Sequence, residues 1–316
     1  MTDQQSAELR WLSPDAPDYR PALRFVVAGH TIPDTETERR VNSLLEFVAQ
    51  LTLEINPLIA CYQNRRLVCA CAAIPSPGRT CLLYLPPDRI ARRRPGDLAN
   101  LLAALCQRLW SQSIAVVQAM VPPGAANTEE VLVAAKFRFL AELVFLERPV
   151  HAPPGTTRVR SDLTFVSYSP ERHSLFIDAL ERTYVDSLDC PPLTGLRQTQ
   201  DVLATHRAAG VFSPDLWWVA LRGDRIAGVL LLSQVLRRPA LEVVYMGVAA
   251  DARQTGVGHA LLARAAETCA ARQKTCLTLA VDSCNTPATV LYQRWGFAET
   301  TRRRAWIASP PPANRE

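Results

Sequence analysis

When the chain is laid against itself at a constant offset of 160 residues, residues 58–140 fall on residues 218–300 without a gap. The run L-I-A-C-Y-Q-N-R-R-L-V meets W-V-A-L-R-G-D-R-I-A-G, in each case two strand-like stretches around a polar turn. Further on, Leu101, Leu102 and Ala103 fall on Leu261, Leu262 and Ala263, and Phe137 falls on Phe297. Identities are few, but the order of the apolar runs agrees, so the repeat is one of architecture. A chain of 316 residues is long enough for two domains with a core each. Pro149, Pro153, Pro154 and Gly155 read as the linker. They set the expected domains at 1–150 and 151–308, with S-P-P-P-A-N-R-E over 309–316 as a disordered tail.

Periodicity in the first copy predicts a helix near 41–53, the hairpin, a strand over 81–85 and a helix over 98–109. A strand at 114–121, a helix at 128–135 and a strand at 139–147 complete it. The second copy reads as a strand at 165–168, helices at 170–185 and 198–209 and the hairpin. A strand ending at Val248, a helix after Gly258, a strand at 275–281, a helix at 287–295 and a strand at 300–307 follow. Strands and helices mixed in this order give an α/β class, each copy a sheet flanked by helices.

The opening M-T-D-Q-Q-S-A-E carries acidic residues before any apolar run, and no apolar run reaches membrane-spanning length. The expectation is a soluble, cytoplasmic protein without membrane contact. Nine cysteines are scattered and odd in number, and Cys69 and Cys71 read as small core residues of a strand, so no metal or disulfide role is assigned. The net charge of +5 is modest and lacks the broad basic face that nucleic acid requires. Of the two arginine runs, 92–94 reads as solvated surface, while 302–304 reads as surface or as a neighbour of a phosphorylated ligand.

The stretch over 241–262 joins a Val- and Tyr-rich strand to an Ala- and Leu-rich helix through a turn holding Gly256 and Gly258. Glycine backbones let successive N–H groups converge at a helix's positive end, which makes an anion cradle suited to a pyrophosphate. Arg253, Gly256 and Gly258 match motif A of the GNAT acetyltransferases: Arg or Gln, two residues, Gly, one residue, then Gly or Ala. V-D-S-C-N-T-P-A-T-V-L-Y-Q-R-W-G-F resembles motif B of the same family at Asn285, Ala288, Leu291, Tyr292, Gly296 and Phe297. Thr286 and Pro287 read as the N-cap and first residue of its helix.

The resemblance implies two tandem GNAT-like domains, each with a mixed, mostly antiparallel twisted sheet. It implies acetyl-CoA as cosubstrate, its pyrophosphate held at Arg253, Gln254, Thr255, Gly256, Val257 and Gly258. The pantetheine arm would pair with the backbone of Met246, Gly247 and Val248 and touch Asn285. Tyr292 would protonate the departing thiolate. Acetyl transfer also needs a base for the amine. Glu242, six residues before Val248, is expected by strand alternation to share a face with Val244, Met246 and Val248, where apolar neighbours raise its pKa. Several GNAT enzymes carry a catalytic glutamate on this strand.

Acceptor candidates are Tyr184, Ser187, Asp189 and Trp217, with Asp189 the residue that would attract an amine. The first copy fails the same tests. Leu98 replaces Gly258, Leu82 stands for Glu242 and Leu132 for Tyr292, and Pro95 removes an N–H from the would-be cradle. The leading expectation is an N-acetyltransferase acting on a small-molecule or protein amine, with a non-catalytic first copy. The alternative is a CoA-binding sensor or interaction protein without turnover, against which the presence of both Glu242 and Tyr292 argues.

Overall fold

The computed structural model describes residues 7–150 and 162–311. The first copy runs β1 (Glu8–Leu12), α1 (Tyr19–Ala28), α2 (Thr35–Gln50), β2 (Leu58–Gln63), β3 (Arg66–Ser76), β4 (Thr80–Tyr84), α3 (Asp88–Arg93), α4 (Pro95–Ser111), β5 (Val116–Val121), α5 (Ala126–Ala134) and β6 (Arg138–Pro149). The second runs β7 (Thr164–Ser167), α6 (His173–Tyr184), α7 (Thr199–Ala208), β8 (Trp217–Arg222), β9 (Arg225–Gln234), β10 (Ala240–Val248), α8 (Val257–Ala271), β11 (Cys276–Asp282), α9 (Thr286–Arg294) and β12 (Ala298–Ala308). From β2 onward the equivalent elements start at the offset of 160 to within about two residues, and the offset is kept at both ends of α5 and α9.

Local chemistry explains the elements. Asn64 and Arg65 both take left-handed backbone angles, φ 50° and 61°, the turn that matches the twist of the β2–β3 hairpin. Asp34 caps α2, its carboxylate accepting from the Thr37 N–H at 3.0 Å. Asn285 caps α9, its side-chain oxygen accepting from the Ala288 N–H at 3.3 Å. The cap therefore falls one residue before Thr286, which is the first helical residue. Cys69 and Cys71 are buried in β3. Two of the arginines of β12 are bound by carboxylates: Arg302 by Glu299 and Glu142, Arg304 by Glu129. Of the two readings of that run, surface ion pairs are what the fold shows.

The chain forms two compact units, one of residues 1–140 with 303–316, the other of residues 141–302. In the first, β1-β2-β3-β4-β5 lie in order, and the end of β12 pairs antiparallel with β5, Arg304 opposite Val121. In the second the order is β6-β11-β10-β9-β8-β7, with Leu279 of β11 opposite Leu146 of β6. Chain order places the division near 150; strand pairing places it at 140 and 302. The reason lies in the repeat: β6 and β12 are equivalent strands, and β6, made with the first copy, pairs with β11 of the second, while β12, made with the second, pairs with β5 of the first. Pro149 ends β6, while Pro153, Pro154, Gly155 and the tail from 312 lie outside the described residues.

Each unit holds one parallel pair, β4 with β5 and β10 with β11, among antiparallel neighbours. The core of the second unit joins Phe176 and Leu180 of α6, Trp217 of β8, Leu230 and Leu232 of β9, and Leu261 and Ala265 of α8. Among the described residues no helix is long and apolar enough to cross a membrane.

Candidate functional site

The site is created where two strands stop pairing. β10 and β11 pair in parallel from Ala240 opposite Cys276 to Val243 opposite Leu279, and no further. There the register of β10 against β9 shifts, with Val243 opposite Leu232 but Tyr245 opposite Leu231. Val244 is the extra residue of a β-bulge, which bends a strand and interrupts its ladder. β10 continues to Val248 with β9 as its partner, leaving the backbone on its β11 side without a strand.

The bulge also exchanges faces. Glu242 lies opposite Ser233 and Tyr245 opposite Leu231, so these four share a face. Tyr245 meets α6 there, its hydroxyl 3.0 Å from Thr183 Oγ1. Met246 and Val248, opposite Leu230 and Gly228, point to the other side. The expectation that Glu242 shares a face with Val244, Met246 and Val248 is corrected: simple alternation fails because one residue is inserted between them.

The gap opens into a cavity of about 480 Å³. Met246, Gly247 and Val248 line it, and so do Arg253, Gln254, Gly256, Gly258, Asn285 and Tyr292. Gly247 is there for close approach, since a Cβ would come within 2.6 Å of Thr183 Cβ and 2.7 Å of the Tyr245 hydroxyl. Thr255 and Val257 are not on the wall. Thr255 donates to the Ala252 carbonyl at 2.7 Å, and Val257 is buried beneath the start of α8.

At the cradle, Gln254 and Gly256 take left-handed angles, φ 60° and 87°. No side chain caps α8 and no acidic residue stands in its first turn, so its leading N–H groups and positive dipole end are uncompensated. The Arg253 guanidinium does not point at this anion site. It donates to the carbonyls of Asp186 at 3.1 Å, Thr183 at 3.4 Å, Val248 at 3.4 Å and, at close range, Val185. It thus satisfies carbonyls at the end of α6, and anion binding is left to the backbone.

Tyr292 is 6% exposed, and its ring meets Phe297 edge-on at 5.6 Å. Its hydroxyl has no hydrogen-bond partner among the described residues. Burial, and next the charge of Asp189, pushes the phenol well above its ordinary range. Glu242 is half-buried, lies outside the cavity wall and has no ion-pair or hydrogen-bond partner among the described residues. Burial raises its carboxyl.

Ser187 and Asp189 line the cavity, the Ser187 hydroxyl accepting from the Asp189 N–H at 3.1 Å. Tyr184 stands behind the wall, edge-on to Tyr245 at 5.4 Å. Trp217 is corrected to a core residue. It is 1% exposed, its indole N–H donates to the Leu232 carbonyl at 3.2 Å, and it packs against Tyr168, Phe176 and Phe212. Sequence reasoning left His259 and Arg294 unassigned, and both line the cavity. Pro287, Val290, Leu291 and Arg294 form one helical stripe, a spacing that would have found Arg294.

A family model described as the acetyltransferase (GNAT) family matches residues 180–297. Among solved structures, a GCN5-related N-acetyltransferase from Sphaerobacter thermophilus is 16% identical, covers 96% of this chain and 95% of its own, and has a TM-score of 0.60. A tandem GNAT protein from the clavulanic acid biosynthesis pathway is 16% identical over 98% of this chain and 100% of that one, with a TM-score of 0.53. A glucosamine N-acetyltransferase region of a fungal multi-domain GH3 β-N-acetylglucosaminidase is 13% identical over 96% of this chain and 38% of that one, TM-score 0.63. At such identities the likeness is one of fold. A search of curated protein sequences gave no match. Residues 180–297 are thus similar to the GNAT acetyltransferase family, and the fold of the chain is like that of GNAT structures, a tandem GNAT protein among them. The general chemistry of that family is acyl transfer.

Proposed function

We propose that the second copy transfers an acetyl group from acetyl-CoA to a primary amine of a small molecule or protein. The observation that carries this reading is the presence of an uncompensated helix N-terminus, an unpaired strand edge and an unpartnered tyrosine hydroxyl on one cavity wall. When bound, acetyl-CoA supplies a thioester carbonyl and a thiolate leaving group. The residues present fit it: backbone N–H groups from Gln254 to Gly258 would hold the pyrophosphate, and Met246, Gly247 and Val248 would offer their free edge to the pantetheine arm. Asn285 stands on the same wall with its side-chain oxygen engaged as a helix cap, which leaves the amide N–H groups for the arm.

Glu242 takes the amine proton, directly or through a water, from the α6 side of β10. Its burial suits that role by moving the carboxyl toward neutrality. Tyr292 holds its proton until sulfur needs it, because burial disfavours the phenolate. The first copy serves a structural or substrate-shaping role, without chemistry of its own.

Release of free CoA thiol in the presence of a panel of amines tests the reading. Tyr292→Phe is expected to lower turnover on the order of 10²-fold while changing CoA affinity little. Unchanged turnover would remove Tyr292 from the mechanism, and CoA binding without thiol release to any amine would leave a sensor.

A further inference from the structure

The first copy holds a cavity at the place where the second is packed with rings. In the second, Tyr168, Phe212 and Trp217 meet edge-on, their centroids 4.8 to 5.8 Å apart. At the offset of 160, Pro57 stands for Trp217 and Thr52 for Phe212. Strand pairing supplies the third match: Leu12 lies opposite Leu58 as Ser167 lies opposite Trp218, so Ser13 stands for Tyr168. Three aromatic side chains are thus replaced by smaller ones, and a cavity of about 630 Å³ has Ser13 and Pro57 on its wall. None of the residues equivalent to the cradle, to Glu242 or to Tyr292 lines it, so it is not the counterpart of the acetyl-CoA cleft.

Leu12, Leu45, Val48, Leu53 and Ile55 make most of this wall apolar. Tyr19 is half-buried on it, its hydroxyl donating to the Ile55 carbonyl at 3.5 Å. Only two residues of the wall carry charge, Glu54 and Arg108, and both are exposed. Among the described residues neither has an ion pair or a side-chain hydrogen bond, with the other or with any third group. The Arg108 guanidinium lies over the Trp11 ring, 4.5 Å from its centroid, and a stacked guanidinium keeps its N–H edge for a carboxylate. The charge of Glu54 is felt inside the cavity: after burial, it is what raises the Tyr19 phenol. An apolar cavity bordered by one unpaired cation and one unpaired carboxylate is complementary to a zwitterion with an apolar body. A simple acid would leave Glu54 facing a like charge, and a simple amine would do the same to Arg108.

We infer that this cavity of the first copy binds an amino acid of apolar side chain as its zwitterion, the carboxylate on Arg108 and the ammonium group on Glu54. The side chain occupies the space that three rings fill in the second copy. The site binds without chemistry, and the inference does not rest on the acetyl-transfer reading.

The test titrates three probes into the full chain by calorimetry: L-phenylalanine, 3-phenylpropanoate, which lacks the amine, and phenethylamine, which lacks the carboxylate. Phenylalanine should bind saturably, and each of the others at least about tenfold more weakly. Arg108→Gln should weaken phenylalanine at least about tenfold; with no ion pair to lose, the variant should fold as the unsubstituted chain does, which a thermal unfolding curve checks. Glu54→Gln should bring phenylalanine and 3-phenylpropanoate to similar affinities. Ala49→Phe, at an exposed position of the same wall, should block binding by filling the cavity. The inference is overturned if phenylalanine does not bind or binds no better than 3-phenylpropanoate. It is equally overturned if Arg108→Gln and Ala49→Phe bind phenylalanine as the unsubstituted chain does. No acetyl-CoA is present, so the outcome is separate from whether the second copy transfers acetyl groups.

Discussion

From β2 onward the two copies carry matching strands and long helices at a nearly constant offset, yet the second keeps an open cleft where the first is tied together by side-chain hydrogen bonds. Where the second copy has Val248 on its cavity wall, the first has Asp88. The Asp88 carboxylate accepts from the Thr128 N–H at 2.8 Å, the Thr128 hydroxyl at 2.9 Å and the Asn127 side chain at 2.6 Å, tying α3 to the first turn of α5. Where α8 leaves its N-terminus uncompensated, α4 begins with Pro95 and carries Asp97 in its first turn, bound by Gln63 at 3.1 Å. Leu98 and Leu132, in place of Gly258 and Tyr292, are fully buried. A helix that brings its own carboxylate has its positive end compensated from within and has less need of a phosphate.

Transplanting the difference gives the largest expected effect. Gly258→Leu puts the first copy's residue into the second, where even a Cβ meets Leu291 Cδ2 at 3.0 Å. CoA affinity by calorimetry should fall at least about 100-fold, because the side chain fills the space below the cradle. Retained affinity would show that the pyrophosphate binds elsewhere. Next comes Glu242→Gln, expected to cost on the order of 10²-fold in turnover. As a buried carboxyl its pKa is raised, so the ionised base is lost as pH falls, and it is lost above the ordinary carboxylate range. The acid limb of kcat/KM should therefore lie above that range and flatten in the variant. The same raised pKa means that ionised Glu242 destabilises the fold once pH exceeds its unfolded value, so the variant should melt higher at neutral pH.

Asp88→Ala should cost roughly 1–2 kcal/mol of stability in thermal or denaturant unfolding, since it removes a helix cap and two side-chain bonds. Burial raises the Asp88 carboxyl, but the bonds from Asn127 and Thr128 outweigh it and the net shift is downward. Its contribution is thus present above the unfolded carboxylate pKa and lost as pH falls through the lower folded value. The smallest effect is expected for Leu98→Gly. Restoring one glycine to the first copy should add no second CoA equivalent per chain, because Pro95 and Asp97 remain. Two equivalents in a titration, with or without that change, would break the contrast between the copies.

Much of the fold was legible because it was written twice. The hairpins, α4, α8, α5 and α9 emerge from apolar period and from matching positions in the other copy. β1, α1 and α3 were not legible: β1 has five residues, α1 carries Pro21 within its first turn, and α3 is a six-residue helix at the position of a mere turn in the second copy. At the candidate site, resemblance to the GNAT motifs pointed to the glycines, Asn285 and Tyr292, and Gly256, Gly258, Asn285 and Tyr292 all line the cavity. The facing of Glu242 could not, because a bulge leaves no mark on an alternating apolar strand. The burial of Trp217 was equally hidden, since an indole on a strand reads the same whether it meets a core or a ligand. Arg253 shows a third limit: its presence was visible, but the carbonyls that hold its side chain belong to a loop some 65 to 70 residues away in sequence.

The pairing of β12 with β5 has a bearing on the order of synthesis. Residues 303–308 are made after the whole second unit, yet they supply the closing strand of the first unit's sheet. On the ribosome, the second unit can assemble as one uninterrupted stretch, whereas the earlier-made half must wait with the edge of β5 unpaired. An unpaired edge is an aggregation hazard while it lasts. The second unit is therefore the one free to fold first, and the first unit, begun earliest, is finished last.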